Sequence, residues 1–335
     1  MKAYEIQEFG VENLKLVERP QPEPGHDEVL IKLRAWSINF RDLLVVKGHY
    51  NPKMPLPRIP FSDGVGEVAA VGAGVTRVKV GDRVAGAFMP KWIAGEPDAL
   101  AAGSALGGEI DGLLAEYAVL GEQGVVHVPG HLSDEEAATL PCAGVTAWNA
   151  LVEQKQVKAG ESVLLLGTGG VSLFALQFAQ LHGARIIITS SSDEKLERAR
   201  AMGAHETINY KTTPDWEKKV LELTGRQGVD HVVEVGGVGT LPKSTRAVRL
   251  GGHIALIGVL AGGKDFNPML VLMKGINLGG IYVGSRAMFE SMNQAISLHQ
   301  AKPVVDKVFG FDEVPAALKH MESGAHFGKI AISAG

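Results

Sequence analysis

Between residues 1 and 130, short apolar runs alternate with polar positions, as in Val29-Leu-Ile-Lys-Leu and Gly66-Glu-Val-Ala-Ala-Val. Such short alternation predicts strands with one buried face. Turn pairs such as Pro24-Gly25 and Gly81-Asp82 separate the runs, which predicts a small β-rich barrel. The pattern changes near Ser133. Residues 134–157 read as mainly helical, and then short apolar strands alternate with amphipathic helices. The expected strands are Ser162–Leu166, Arg185–Thr189, His231–Val235 and His253–Gly258, with helices over Val171–His182 and Asp193–Met202. This rhythm predicts βαβ units around a parallel sheet. Residues 89–112 are rich in Gly and Ala and poor in pattern, so they read as one long loop of the kind that is functional or mobile. Residues 266–282 are apolar and fit either an edge strand or the interior of a sheet.

Composition narrows the picture. A chain of 335 residues suggests two domains. Apolar residues make up 45% and charged residues 21%, the balance of a globular protein. A net charge of -4 without a basic block argues against nucleic acid as a partner. No apolar run is long enough to span a bilayer, so no membrane partner is expected. Cys142 is the sole cysteine, which rules out an intrachain disulfide and suits a reducing compartment. The opening MKAYEIQEFG has no signal-peptide core. The expected location is the cytoplasm.

Candidate chemistry centres on Leu164-Leu-Leu-Gly167-Thr168-Gly169-Gly170-Val171-Ser172. An apolar strand runs into a glycine turn and a helix follows at once. In a dinucleotide fingerprint the first glycine makes the turn and the second admits the pyrophosphate. A third small residue lets the helix pack close to the strand. Gly167 and Gly169 fill the first two positions, and Ser172 stands where Gly or Ala is usual. The plain alternative is an ordinary βα turn, which the surrounding strand–helix repeat disfavours. The next strand ends in Ser190-Ser191-Ser192, where an NAD site usually carries an acid. Asp193 and Glu194 follow, and the Ser191–Glu194 spacing reads as a capping box. Small hydroxyl residues leave room for a 2′-phosphate, with Lys195 and Tyr210 as partners. The expectation is therefore NADPH rather than NADH.

Longer segments carry a resemblance. They are Pro22-Glu-Pro-Gly25-His-Asp-Glu-Val, Ser37-Ile-Asn39-Phe-Arg41-Asp42, Phe61-Ser-Asp63-Gly-Val-Gly66, Lys79-Val-Gly81-Asp82, Leu140-Pro-Cys142-Ala-Gly-Val-Thr146 and Leu250-Gly-Gly-His. In this order the chain resembles the medium-chain dehydrogenase/reductase superfamily, and within it the zinc-free branch similar to quinone oxidoreductases. The resemblance implies an α/β chain with two domains. A GroES-like β-barrel substrate domain would comprise residues 1–130 and 284–335, and a doubly wound Rossmann domain residues 131–283. It also implies a homodimer. Zinc-dependent relatives bind catalytic metal through Cys, a His-Glu pair and a second Cys or His. Over those positions this chain has Asn39, Ser62-Asp63 and Cys142, which is too few ligands for a catalytic site. His127 and His131 flank Pro129-Gly130 and read as strand-end and loop histidines. No metal is expected.

Without a Lewis acid, reduction of a quinone or conjugated enone is easier than oxidation of an alcohol, because the charge spreads over an enolate. The resemblance places Asn39 and Thr146 near the nicotinamide, with Tyr50 as a pocket-lining donor. Each also has a structural reading: Asn39 as a capping residue, Tyr50 as loop packing, and Thr146 as a helix threonine. Arg41 and Asp42 are expected to pair with each other. Cys142 reads as a small buried residue and not a nucleophile. Gly258, Val259, Val283 and Ser285 match segments whose backbones hold the carboxamide end of the cofactor, and Lys329 is expected at the pyrophosphate. The expected function is an NADPH-dependent reductase of a small carbonyl or quinone. An alcohol dehydrogenase and a non-catalytic NADPH-binding protein are the alternatives.

Overall fold

The computed structural model describes residues 1–258, 260 and 266–335. The chain divides into two compact units, Met1–Val145 with Gly284–Gly335, and Thr146–Val283.

The first unit is built around one long strand, Glu28–Ile38, which pairs antiparallel with Asp63–Val71, Lys329–Ser333 and Tyr117–Gly121. The seven-stranded sheet continues through Arg83–Gly86 to Val125–His127 on one side and through Val305–Gly310 on the other. Apolar side chains from these strands, among them Trp36, Ile38, Val68 and Ile330, make one core with Phe61 and Leu113. The indole N–H of Trp36 donates to the Leu113 carbonyl at 2.5 Å, so this buried ring has its polar atom satisfied. Residues 89–112 pack part of their length into the barrel unit. Met89, Leu106 and Ala101 are buried, one helical turn forms at Ala99–Ala102, and the Phe88 carbonyl accepts from Leu106.

In the second unit six strands run parallel in the order Glu206–Asn209, Arg185–Ser190, Ser162–Leu166, Val229–Glu234, Val248–Leu256 and Asn277–Gly280. Ser162–Leu166 and Arg185–Ser190 are buried almost throughout, which explains their unbroken apolar runs: helices cover both faces of a parallel sheet. The first strand in sequence lies beside the fourth, so chain connections leave this pair in opposite directions. Such a switch point is where a doubly wound sheet binds ligand, beyond the carboxyl ends of its strands. Gly170–Leu181 and Asp193–Ala201 form the helices that follow the first two strands.

Several expectations are corrected. The break between units falls at Val145 and not near residue 130. The helix Asp134–Ala137 packs on Glu28–Ile38 and Lys329–Ser333 of the barrel, and the Cys142 N–H donates to Asp63. Residues 134–157 are mainly helical, as expected, but in short pieces. Wide turns at Leu140–Gly144 and Asn149–Glu153 interrupt them, the first containing Pro141, which has no N–H for a regular ladder. Of the two expectations for residues 266–282 the edge strand is the one found, as Asn277–Gly280, with the helix Met269–Lys274 before it. Helix Asp193–Ala201 is capped by Ser192, whose hydroxyl accepts from Lys195 N, and not by Ser191. Among the described residues, no helix is long and apolar enough to cross a membrane.

Candidate functional site

Two sets of residues stand out, one in each unit. In the second, the glycine turn follows strand Ser162–Leu166. Gly167 has φ +74°, which strains any other residue. Side chains added at Gly167 or Gly169 would meet nothing within 4 Å, so both glycines face open space. This is the cradle that a pyrophosphate requires, with the N-terminus of helix Gly170–Leu181 behind it. Ser172 fills the third fingerprint position without strain, because its hydroxyl donates to the Leu166 carbonyl at 2.7 Å and so keeps helix and strand close.

The neighbouring strand ends against this turn. Gly167 N–H donates to Thr189 Oγ1 at 3.2 Å, and Thr168 Oγ1 lies 3.4 Å from Ser190 Oγ. Tyr210 N–H donates to the Ser190 carbonyl at 3.0 Å. The nearest following acid, Asp193, accepts from Asn209 Nδ2 at 2.7 Å and belongs to the first helical turn. The strand terminus itself therefore presents hydroxyls. Ser191 and Lys195 are half-buried and Tyr210 is exposed.

Across the switch point, Glu234 ends its strand fully buried. It accepts from Gly236 N, Gly237 N, Thr240 Oγ1 and Ser244 Oγ, which together hold the turn rigid. Gly258 packs so tightly that an added Cβ would sit 1.8 Å from the Val235 carbonyl oxygen. Val259 lies outside the described residues. Val283 has φ +53°, an outlier for a β-branched residue, and its carbonyl accepts from Asn149 Nδ2 at 2.8 Å. Backbone strain of this kind persists only where surrounding contacts enforce it, and it clusters at functional sites. Thr146 is buried in the segment Val145–Trp148. Glu234 and Asn149 were missed from sequence. The available signal was an acid closing an apolar strand just before Gly236-Gly237.

The barrel unit holds the second set. Asn39 precedes helix Phe40–Val46, and its backbone N–H donates to Asp42 Oδ2 at 2.8 Å. Asn39 thus stands at the N-cap position, but its side chain makes no cap hydrogen bond; its Oδ1 accepts from Lys329 instead. Arg41 and Asp42 do pair, at 3.4 Å. Arg41 also donates to the Leu106 carbonyl at 2.6 Å and lies over the rings of Tyr50 and Phe88, at 5.2 and 4.9 Å. Tyr50 is thus held by a cation–π contact on the surface side. Ser285 caps the helix Arg286–His299 through Met288 N.

Lys329 is the surprise of this set. Only 3% exposed, it donates to the Ile38 carbonyl at 2.7 Å and to Asn39 Oδ1 at 2.6 Å. The expectation that it reaches the pyrophosphate is corrected: its ammonium is already committed inside the barrel. Around it are Asp42, Asp63 and Cys142. Burial, opposed by Lys329 and aided by the charge of Asp42, raises the Asp63 carboxyl to about 6. Asp63 accepts from Ser62 Oγ at 2.7 Å and Cys142 N at 3.3 Å. Burial and then the charge of Asp63 push the Cys142 thiol up as well.

Residues 25–130 match the family described as alcohol dehydrogenase GroES-like domain, and residues 170–298 that described as zinc-binding dehydrogenase. A zinc-type alcohol dehydrogenase-like protein of Schizosaccharomyces pombe is 47% identical over 96% of each chain. The chain belongs to the medium-chain dehydrogenase/reductase superfamily. A human quinone oxidoreductase is 30% identical over 97% of this chain and 95% of its own. The crystal structure of an NAD-dependent alcohol dehydrogenase superimposes with a TM-score of 0.91 at 36% identity, covering all of both chains. As a medium-chain dehydrogenase/reductase the protein is an oxidoreductase with a GroES-like barrel and a Rossmann sheet. The residues set against the zinc ligands of relatives do not fit a catalytic zinc. They offer a carboxamide, a carboxylate tied to Ser62 and a thiol whose deprotonation is disfavoured, with an ammonium among them. His127 pairs with Asp82 at 2.9 Å and His131 with the Ala301 carbonyl at 3.0 Å, as strand-end and loop residues.

Proposed function

We propose that the protein is an NADPH-dependent oxidoreductase that reduces a quinone or an α,β-unsaturated carbonyl without a metal. One observation carries the reading: the carboxamide of Asn39, the carboxylate of Asp63 and the thiol of Cys142 stand over the positions where zinc-dependent relatives have ligands, with the buried Lys329 ammonium on Asn39. Such a set cannot act as a Lewis acid on an alkoxide. It does supply hydrogen-bond donors, which suffice when charge spreads over an enolate or hydroquinone. The nicotinamide supplies the hydride. The glycine turn would hold the pyrophosphate on backbone N–H groups, while Ser190 and Ser191 leave room for a 2′-phosphate, with Lys195 and Tyr210 beside it. Gly258, Val283 and Ser285 would present backbone to the carboxamide end of the cofactor. In this reading Asn39, Tyr50 and Thr146 serve the reacting end, and the protein works in the cytoplasm.

The direct test is NADPH oxidation in the presence of a chelator, with 1,4-benzoquinone and 2-cyclohexen-1-one offered separately. Turnover on either, with a lower kcat/KM for NADH, is expected. Saturable NADPH binding without turnover on both acceptors would remove the substrate class. Alcohol-driven reduction of NADP⁺ that vanishes with chelator would instead establish a metal-dependent alcohol dehydrogenase.

The proposed assembly is a homodimer through the edge strand Asn277–Gly280, near which Leu272, Met273 and Leu278 are exposed. Leu278→Lys should shift the sedimentation coefficient towards that of a monomer. An unchanged dimer would place the interface elsewhere.

A further inference from the structure

We infer that Asn149 is a positioning residue for the cofactor: its amide holds the Val283 carbonyl and so keeps Val283 in a backbone conformation that offers its N–H to the nicotinamide carboxamide. The inference deepens the cofactor reading and rests on it.

The order of the strands sets where that half of the cofactor would lie. The glycine turn follows Ser162–Leu166, and the adenosine ribose belongs at the end of the neighbouring strand Arg185–Ser190. The nicotinamide half would therefore run the other way, over the carboxyl ends of Val229–Glu234 and Val248–Leu256 towards the edge strand Asn277–Gly280. Val283 lies three residues beyond that edge strand.

Among the described residues four non-glycine residues have a positive φ, and Val283, at +53°, is the only β-branched one. Gly284, which could take a positive φ freely, stands next to it and does not carry one. Strain placed in this way persists only where contacts impose it. Here the segment is tied at both ends. Ile281 N–H donates to the Leu256 carbonyl at 2.9 Å, and the Ile281 side chain clusters with Ala150 and Ala255. The Val283 carbonyl accepts from Asn149 Nδ2 at 2.8 Å. A carbonyl only accepts, so the amide must face it with its NH₂ group. Asn149 opens the wide turn Asn149–Glu153, and Ala150 of that turn belongs to the same cluster, which gives the amide a fixed base. With both ends tied, φ decides where the Val283 N–H is directed, and that N–H makes no hydrogen bond among the described residues. Backbone donors of largely buried residues are rarely left without a partner. A donor kept free beyond the strand ends suits the oxygen of a carboxamide.

Asn149→Leu tests this, because leucine keeps the shape and Asn149 Oδ1 has no partner to lose. Without the tie Val283 relaxes to a negative φ, and binding has to restore the strained form. The dissociation constant of NADPH, from fluorescence titration, should rise about 10-fold. Adenosine 2′,5′-bisphosphate carries no nicotinamide, and its constant should stay within about twofold. Val283→Gly supplies the second background. Glycine adopts a positive φ unaided, so there the Asn149→Leu effect on NADPH should shrink to about twofold. An unchanged NADPH constant, an equal loss for the bisphosphate, or the same loss in both backgrounds overturns the inference. Should Asn149→Leu not fold, Asn149→Ser, one bond shorter than the amide, goes through the same titrations and the same outcomes decide. If the wild type binds NADH and not NADPH, NADH and adenosine 5′-monophosphate replace the pair. If it binds neither dinucleotide, the cofactor reading itself fails and takes the inference with it.

Discussion

His253 sits in strand Val248–Leu256, 4% exposed, and neither ring nitrogen closes a hydrogen bond. Its ring faces His231 at 6.1 Å, and His231 bonds Glu161 at 2.8 Å. Burial lowers its pKa from 6.5 to about 4; the charges of His231 and Lys155 act in the same direction, and the Asn277 backbone acts weakly against them. The folded chain therefore refuses a proton that the unfolded chain accepts below pH 6.5. Stability must fall as pH drops from 6.5 to about 4 and level off below that. Near 1.4 kcal/mol per pKa unit, the loss is about 3 kcal/mol between pH 7 and pH 4. His253→Leu removes this contribution. The assay is urea unfolding of both proteins across that range, followed by pulsed hydrogen exchange in the peptides of the Rossmann strands, which isolates this unit from the barrel. The gap between wild type and variant should change by about 3 kcal/mol with pH. A gap that stays constant within about 1 kcal/mol would mean that the site accepts an imidazolium, and the argument from burial would fail.

The same assay on barrel peptides should show the opposite sign from Asp63. Its carboxyl is raised from 3.8 to about 6, so its contribution is intact below pH 3.8 and is lost as pH rises through 6; a rising contribution would contradict the burial account. Ser190→Asp places an acid where the 2′-phosphate would lie, and should shift the NADPH/NADH ratio of kcat/KM by about tenfold or more towards NADH; an unchanged ratio refutes the assignment. Gly258→Ala forces a Cβ onto the Val235 carbonyl and should cost at least about 2 kcal/mol in urea unfolding of the Rossmann unit. Glu234→Ala leaves four donors, two of them buried backbone N–H groups, without their acceptor and should cost about 3 kcal/mol or more, with weaker NADPH binding by fluorescence titration.

Local chemistry was readable from the chain alone. Strand Ser162–Leu166, the glycine turn and the helices after it follow from apolar runs, φ requirements and capping, which act over a few residues. The parallel sheet follows from the repeat of such units. Corrections fell where local rules are silent. Ser192 rather than Ser191 caps its helix because the strand runs one residue further, to Ser190. Residues 134–157 break into pieces because Pro141 interrupts the ladder and the barrel claims their first part. Lys329 and Asn39 are 290 positions apart, and no periodicity links them. Only the pairing of Lys329–Ser333 with Glu28–Ile38 brings an ammonium to a carboxamide. The same holds for Glu234 with its four donors and for His253 in its dry site. Turns and periods are properties of neighbours in sequence, whereas burial, charge balance and the facing of an amide are set by whichever distant strands pack together.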